Sequence, residues 1–302
     1  LLVKSFARLQ ATDVGFSSSN LLLARVRPPA AMLADAAKLA VFYRQMADRL
    51  KAVPGVTSVA LAEQMPFQAG GRWNGVYAGD RPAPTLENRV RGQRVRADEG
   101  YFRTLGARIL QGRAIAATDT ASSAPVVVIN QAMADKLWPG EPAVGRTLVL
   151  PWNPEVRMEV VGVVANMREY GPAADPRPTF YPSLAQIAAA EFEIAVRTSA
   201  DPMTALSLVR QTALSVDPAV AISDFQTMQS RFVRRTAVPR FRTTLLAAFA
   251  LLSLIMAATG LFGLLAYFVA QRSRELGIRL ALGARPREVV RVIVLRGAWL
   301  TA

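Results

Sequence analysis

Asp98 and Glu99 are the one adjacent acidic pair in this chain of 302 residues, and paired carboxylates are the first place to look for acid–base work. Followed by GYFRTLG, they read instead as the negative start of a short helix over Asp98–Leu105, stopped by Gly106. Ser17-Ser18-Ser19 reads as a loop leading into a strand. The chain contains no His and no Cys. Without His there is no Ser-His-Asp triad and no usual zinc ligand; without Cys there is no disulfide, thiol nucleophile or thiolate metal site. No GxxxxGK[ST] run occurs, and Gly70-Gly71, Gly75 and Gly79 do not form a dinucleotide fingerprint after a strand. Trp73, Trp138 and Trp152 lie near glycines and prolines, where they serve either as walls of a ligand groove or as packing anchors, packing being the simpler reading. No catalytic, cofactor-binding or metal-binding residue is expected, and the chain does not read as an enzyme.

Charge is the stronger signal. Lys and Arg number 36 against 22 Asp and Glu, a net charge of +14. Only Lys4, Lys38, Lys51 and Lys136 are lysines, and so even a spread of Arg is equally the mark of a GC-rich genome. There is no long basic block and no aromatic-flanked RNA-binding signature, so no nucleic-acid partner is expected. One basic stretch does have a plan: QRSRELGIRLALGARPREVVRVIVLRG, residues 271–297. Arg272, Arg274, Glu275, Arg279 and Arg287 alternate with Leu276, Ile278, Leu280, Leu282, Val289 and Val290. Glu275 precedes Arg279 by four, the favourable order for a helical ion pair. Gly283 fits a helix stop and Pro286 the first turn of a following helix. Two readings stand: a surface helix whose arginines snorkel to lipid headgroups, and a lever that docks on a cytosolic partner.

The element that must position this segment precedes it. Thr243–Ala270 holds 28 residues without one charge. As a helix it would be ~42 Å long, and ~20 residues suffice to cross a bilayer core. Its Leu, Ile, Phe and Val residues favour insertion by roughly 4–8 kcal/mol. Gly260 and Gly263, with Ala257 and Ala266, place small residues on neighbouring turns, where another membrane helix could pack. Arginines flank both ends in nearly equal number, so charge does not orient the span. Residues 1–12 read as the end of a preceding membrane helix and 286–302 as the start of a following one, as in a piece of a longer multi-pass membrane protein.

Between lies a folded region, 13–242. A strand (Asn20–Arg27), a helix (Ala36–Val53) and a strand (Val56–Ala62) form one βαβ half; Leu39, Phe42, Met46 and Leu50 give the helix one buried stripe. A second half repeats the plan with a strand (Glu191–Arg197), a helix (Pro202–Val216) capped by Asp201, and a strand (Val220–Phe225). In the first of these strands Phe192, Ile194 and Val196 alternate inward with Glu191 and Glu193 outward. Two such halves predict a ferredoxin-like sheet with two helices on one face. Residues 63–190 read as β-rich: Val126–Ile129, Leu148–Leu150 and Met158–Val164 as strands, with Asn130 capping a helix to Leu137. The fold class expected is α+β, followed by a transmembrane helix.

At RSRELGIRLALGARPREVVRVIVLRG the chain closely resembles the FtsX-like permeases of ABC transporters. DEGYFRTLGARILQGR, APVVVINQAMADKLWPGEPAVGRTL and VVGVVANMREYG resemble, in order and spacing, the MacB-type periplasmic core, in the style of duplicated orphan permeases. Asp98-Glu99 departs from that pattern, where relatives commonly carry a small residue or Pro. The resemblance implies a periplasmic domain with a ferredoxin-like porter part at about 13–80 and 190–240 and an inserted part at about 81–189. It implies a membrane helix at 243–270 and a cytosolic coupling helix at 271–285. Carried over by position, the residues that contact the ATPase are Arg272, Arg274, Glu275, Gly277, Ile278, Arg279, Gly283 and Ala284. The implied setting is the bacterial inner membrane. The implied partners are a separate ABC ATPase subunit, the lipid bilayer, a second permease half or copy, and a periplasmic adaptor with an outer-membrane channel. The function implied is transmission of ATPase-driven movement to the periplasmic domain for export; the alternative is a non-transporting relay that controls a periplasmic hydrolase or sensor.

Overall fold

The computed structural model describes residues 14–68, 70–171 and 174–271. They divide into a folded unit up to Thr236 and a second unit from Ala237 onward.

In the folded unit, β1 (Leu21–Arg27) leads into α1 (Ala36–Lys51) and back to β2 (Val56–Ala62). The start of α1 is set by Asp35, whose Oδ1 accepts hydrogen bonds from Ala37 N at 3.0 Å and Lys38 N at 3.1 Å. Leu39, Phe42, Tyr43, Met46, Ala47 and Leu50 form its buried face. Late in the chain, β10 (Phe192–Thr198) leads through a 3-10 turn at Pro202–Ala205 into α4 (Leu206–Val216) and then β11 (Ala221–Thr227). Asp201 caps the 3-10 turn through Met203 N at 3.0 Å. The strands form one antiparallel sheet in the order β11-β1-β10-β2, the split βαβ arrangement. Leu22 at the start of β1 lies opposite Thr227 at the end of β11.

One face of this sheet (Leu22, Ala24, Val26, Val59, Leu61, Phe192, Ile194, Val196) packs on α1 and α4. Phe192 meets Tyr43 and Phe42 edge-on, with ring centres 5.0 and 6.2 Å apart. The other face (Leu21, Leu23, Ala60, Ala62, Ala195) is not solvated. It packs on Tyr101, Phe102, Val128, Val164 and Tyr181 from the rest of the unit. Glu193 is therefore buried, at 1% exposure, where strict alternation places it outward. The reason is that both faces of this antiparallel sheet are covered.

The intervening chain forms β3 (Arg72–Ala78), β4 (Val90–Arg94), α2 (Tyr101–Leu105), β5 (Ile109–Gly112), β6 (Val126–Asn130), α3 (Gln131–Leu137), β7 (Thr147–Leu150), β8 (Asn153–Val164) and β9 (Thr179–Pro182). These strands order as β5-β8-β6-β9-β4-β3-β7, and β7 also pairs with β8, so the sheet closes on itself with β5 outside the ring. The second sheet begins at β3. Asn130 works at both ends of its side chain. Its Oδ1 caps α3 through Met133 N (3.0 Å) and accepts Thr179 N (2.9 Å), while Nδ2 donates to Arg177 O (2.7 Å). Helix α2 ends at Gly106, which takes φ 69°, a conformation that favours glycine. It starts at Tyr101 rather than Asp98, whose Oδ1 instead holds Gly100 N at 3.1 Å.

The last described element is α5 (Met228–Gln271), which begins well upstream of Thr243. Thr244–Leu264 is a 21-residue candidate membrane span. Leu245, Phe249, Leu252, Ile255, Met256, Leu261 and Phe262 are exposed on all sides of it. An all-round apolar helix with no protein cover is what a lipid solvent selects. The Ser253 and Thr259 hydroxyls donate to Phe249 O (2.8 Å) and Ile255 O (2.6 Å), so neither remains bare in hydrocarbon.

Candidate functional site

The residues assigned to ATPase contact, Arg272, Arg274, Glu275, Gly277, Ile278, Arg279, Gly283 and Ala284, lie outside the described residues, as do 1–12 and 286–302. The described region does contain the place where the folded unit takes hold of α5.

Thr227, the last residue of β11, caps α5 by accepting Ser230 N at 3.0 Å on its hydroxyl, and Ser230 Oγ donates to Thr227 O at 2.9 Å. One turn on, Met228, Arg231 and Phe232 share a helix face by their i, i+3, i+4 spacing. Met228 is fully buried, and Phe232 packs on Phe67 with ring centres 5.1 Å apart. Phe67 in turn meets Phe16 at 5.2 Å. Between these apolar groups Arg231 reaches β10. Its guanidinium donates to Glu193 Oε1 at 2.6 Å and Oε2 at 2.9 Å, and Oε2 also accepts Met65 N at 2.8 Å. Both side chains are buried, 7% and 1% exposed. A bidentate pair with its carboxylate lone pairs used is the geometry in which a buried charge is tolerated. Sequence reasoning missed the pair because Glu193 sits at an alternating position. The available signal was Arg231 flanked at helical spacing by Met228 and Phe232, which marks a buried face.

A second buried polar group lies in the layer between the sheets. Tyr181 OH donates to Glu169 Oε1 at 2.8 Å, and Phe67 N donates to Glu169 O at 2.8 Å. Burial pushes the Glu169 carboxyl up to about 7 against the pull of the Tyr181 and Gln93 hydrogen bonds. Asp98 rises to about 8 through burial and then the neighbouring Glu99 charge. Glu99 itself pairs with Lys51 Nζ at 3.4 Å. The Tyr181 phenol holds the Glu169 carboxyl, and the Gly100 backbone N–H holds that of Asp98. Among the described residues no cluster of three or more metal-ligating side chains occurs.

The tryptophans part ways. Trp138 is buried, donating its indole N–H to Asp80 at 3.2 Å, with Arg146 over its ring at 6.0 Å. Trp73 stacks on Tyr170 at 6.0 Å under Arg177. Trp152 is exposed beside Leu86, Arg89 and Arg91.

Comparison with known proteins gives this geometry its family. Residues 6–227 match the MacB-like periplasmic core domain, and 247–302 match the FtsX-like permease C-terminal region. The macrolide export ATP-binding/permease protein MacB of Agrobacterium fabrum is 26% identical over 200 residues, 63% of this chain and 30% of that protein. MacB 2 of Aeromonas hydrophila is 24% identical over 213 residues, 67% of this chain and 32% of its own length. The chain thus spans about a third of the length of these curated relatives. The crystal structure of the periplasmic region of MacB from Actinobacillus actinomycetemcomitans aligns with TM-score 0.48 and 15% identity, covering 74% of this chain and 94% of that one. With a family match that takes in both sheets and a second that takes in most of the span and the segment after it, the chain belongs to the FtsX-like ABC transporter permeases with a MacB-like periplasmic core domain.

Proposed function

We propose that this chain is the permease part of a MacB-type ABC transporter and carries an ATPase-driven movement across the bacterial inner membrane to its periplasmic unit for export. The observation that carries the reading is the Glu193–Arg231 pair: α5 holds both a buried, bidentate attachment to the porter sheet and the span Thr244–Leu264. A buried ion pair of this kind resists displacement because separating it strands a charge. Past the span, Arg272, Arg274, Glu275, Gly277, Ile278, Arg279, Gly283 and Ala284 form the proposed contact with a separate ATPase subunit, and the chain takes no part in ATP hydrolysis itself. A second permease half or copy, an adaptor and an outer-membrane channel complete the proposed assembly.

Two experiments test this. Glu275→Lys and Gly283→Pro in the full-length transporter should leave expression and membrane insertion intact and abolish coupling of the partner's ATP hydrolysis to export; undiminished export in both sinks the proposal. Coupling of hydrolysis to a periplasmic hydrolase or sensor, with no compound exported, assigns the relay instead. Because the chain has no Cys, single-cysteine probes are clean. A membrane-impermeant maleimide applied from the periplasmic side should label Trp152→Cys and spare Ser273→Cys, and the reverse pattern would invert the topology.

A further inference from the structure

A charged cleft of the folded unit borders the attachment of α5, because Glu193 lies in its lining. It is a cleft of about 820 Å³ whose charged lining is Arg25, Arg27, Arg72, Arg96, Glu63, Glu191 and Glu193, the last already paired with Arg231. Its charges do not balance. Glu191 is taken by Arg25 at 3.1 Å and Arg27 at 3.3 Å, and Arg25 also meets Asp224 at 3.1 Å. Glu63 alone faces three guanidiniums, Arg72 at 2.8 Å, Arg94 at 3.3 Å and Arg96 at 3.4 Å. Glu63, Arg94 and Arg96 are each at most 14% exposed, so a surplus of one positive charge is held away from bulk water, and Arg72 adds a second at the surface. The Nε atoms of Arg94 and Arg96 are buried without a hydrogen bond, as is Glu63 Oε2. Burial lowers the proton affinity of Arg96, and the neighbouring Arg94 and Arg72 charges add to that against the pull of Glu63. Arg72, by contrast, is 70% exposed and stands at the solvent edge of the same ion-pair cluster. Leu33, Leu39 and Ala189 supply an apolar wall to the same cleft.

We infer that this cleft is a binding site for a small anionic amphiphile, whose carboxylate or phosphate headgroup bridges Arg72 and Arg96 while a short apolar portion lies along Leu33 and Leu39. A planar guanidinium offers two parallel donors to either headgroup, and a site already short of negative charge gains most from one. The cleft is walled by β1, α1 and the segment before β10 on one side and by Glu63, Arg72 and Arg96 on the other, so an occupant ties the porter sheet to the chain that leads into the closed sheet. Binding requires no ATPase.

The test is calorimetric titration of the full chain in phosphatidylcholine nanodiscs with hexyl phosphate, hexanoate and inorganic phosphate. Hexyl phosphate or hexanoate should bind, the tighter one identifying the headgroup, and inorganic phosphate should bind more weakly for want of the apolar wall. Arg72→Gln should weaken binding about ten-fold, the loss of one charge-assisted contact, with an unchanged thermal melt. Glu63→Gln removes the competing anion and should tighten binding, an opposite sign that misfolding does not mimic. No heat with either amphiphile, inorganic phosphate binding as tightly as both, or an unchanged affinity in Arg72→Gln overturns the assignment.

Discussion

The two sheets of the folded unit solve different problems with different residues. The strands of the four-stranded sheet, LLLARVR, VTSVALA, FEIAVRT and AISDFQT, contain no glycine. Among the strands of the second sheet, Gly75, Gly92, Gly112 and Gly162 each sit in a different one. Closing a sheet bends strands hard and brings backbones together, and glycine permits both. A Cβ on Gly162 would meet the Arg113 carbonyl, and one on Gly92 would meet Met133 and Phe180. The open sheet keeps full side chains on both faces instead, one for its helices and one for its neighbour. It carries the Glu193–Arg231 attachment of α5. The comparison teaches that stiffness and attachment are divided between the sheets: the ring is closed by backbone, and the open sheet is fastened by one charged pair.

Breaking that pair gives the largest expected effect. Arg231→Ala leaves Glu193 buried and unpaired, and urea unfolding of the full chain in detergent should show a loss of about 3–5 kcal/mol. Replacing both partners with apolar residues of similar volume should restore most of it, which separates the cost of a stranded charge from the net value of the pair. The ring comes next. Gly162→Ala should cost about 1–3 kcal/mol, because Arg113 and the β5 pairing must move aside. Gly75→Ala, whose nearest neighbour is the Arg89 side chain at 3.4 Å, should be close to neutral in the same melt. Equal losses would dissolve the idea of glycine corners at particular strands.

A pH effect concerns the layer between the sheets. Glu169 and Asp98 have folded-state affinities for protons raised to about 7 and about 8. A carboxyl raised in the folded state stabilises fully below its unfolded value near 4, and that contribution fades as pH rises through the folded value. Melting temperature should therefore fall as pH rises from 5 to 8. Glu169→Gln, neutral at every pH, should flatten part of that slope; an unaltered slope would remove Glu169 from the account.

Much of the open sheet is legible in the sequence because its signals are local. Leu39, Phe42, Met46 and Leu50 repeat at helical spacing, and Asp201 caps the second half's helical segment. Asn130 is legible as a cap for the same reason, though its second role, holding Thr179 across 49 residues, is not. Ring closure is invisible to such reading: β4 and β9 are short, and what makes them strands is pairing with distant partners. Glu193 was misplaced because alternation tells which residues share a face, never what covers that face. The segment resembling a coupling helix is the part most legible as family and lies outside the described residues.

The register of Leu22 against Thr227 has a mechanical consequence. Neighbouring strands lie about 4.8 Å apart, so the thread goes in and comes out through adjoining seams of one fabric. Some two hundred residues are thereby stitched in as a loop whose two ends meet, and a tug on the outgoing end is felt first by the incoming one and only afterwards by the ring beyond.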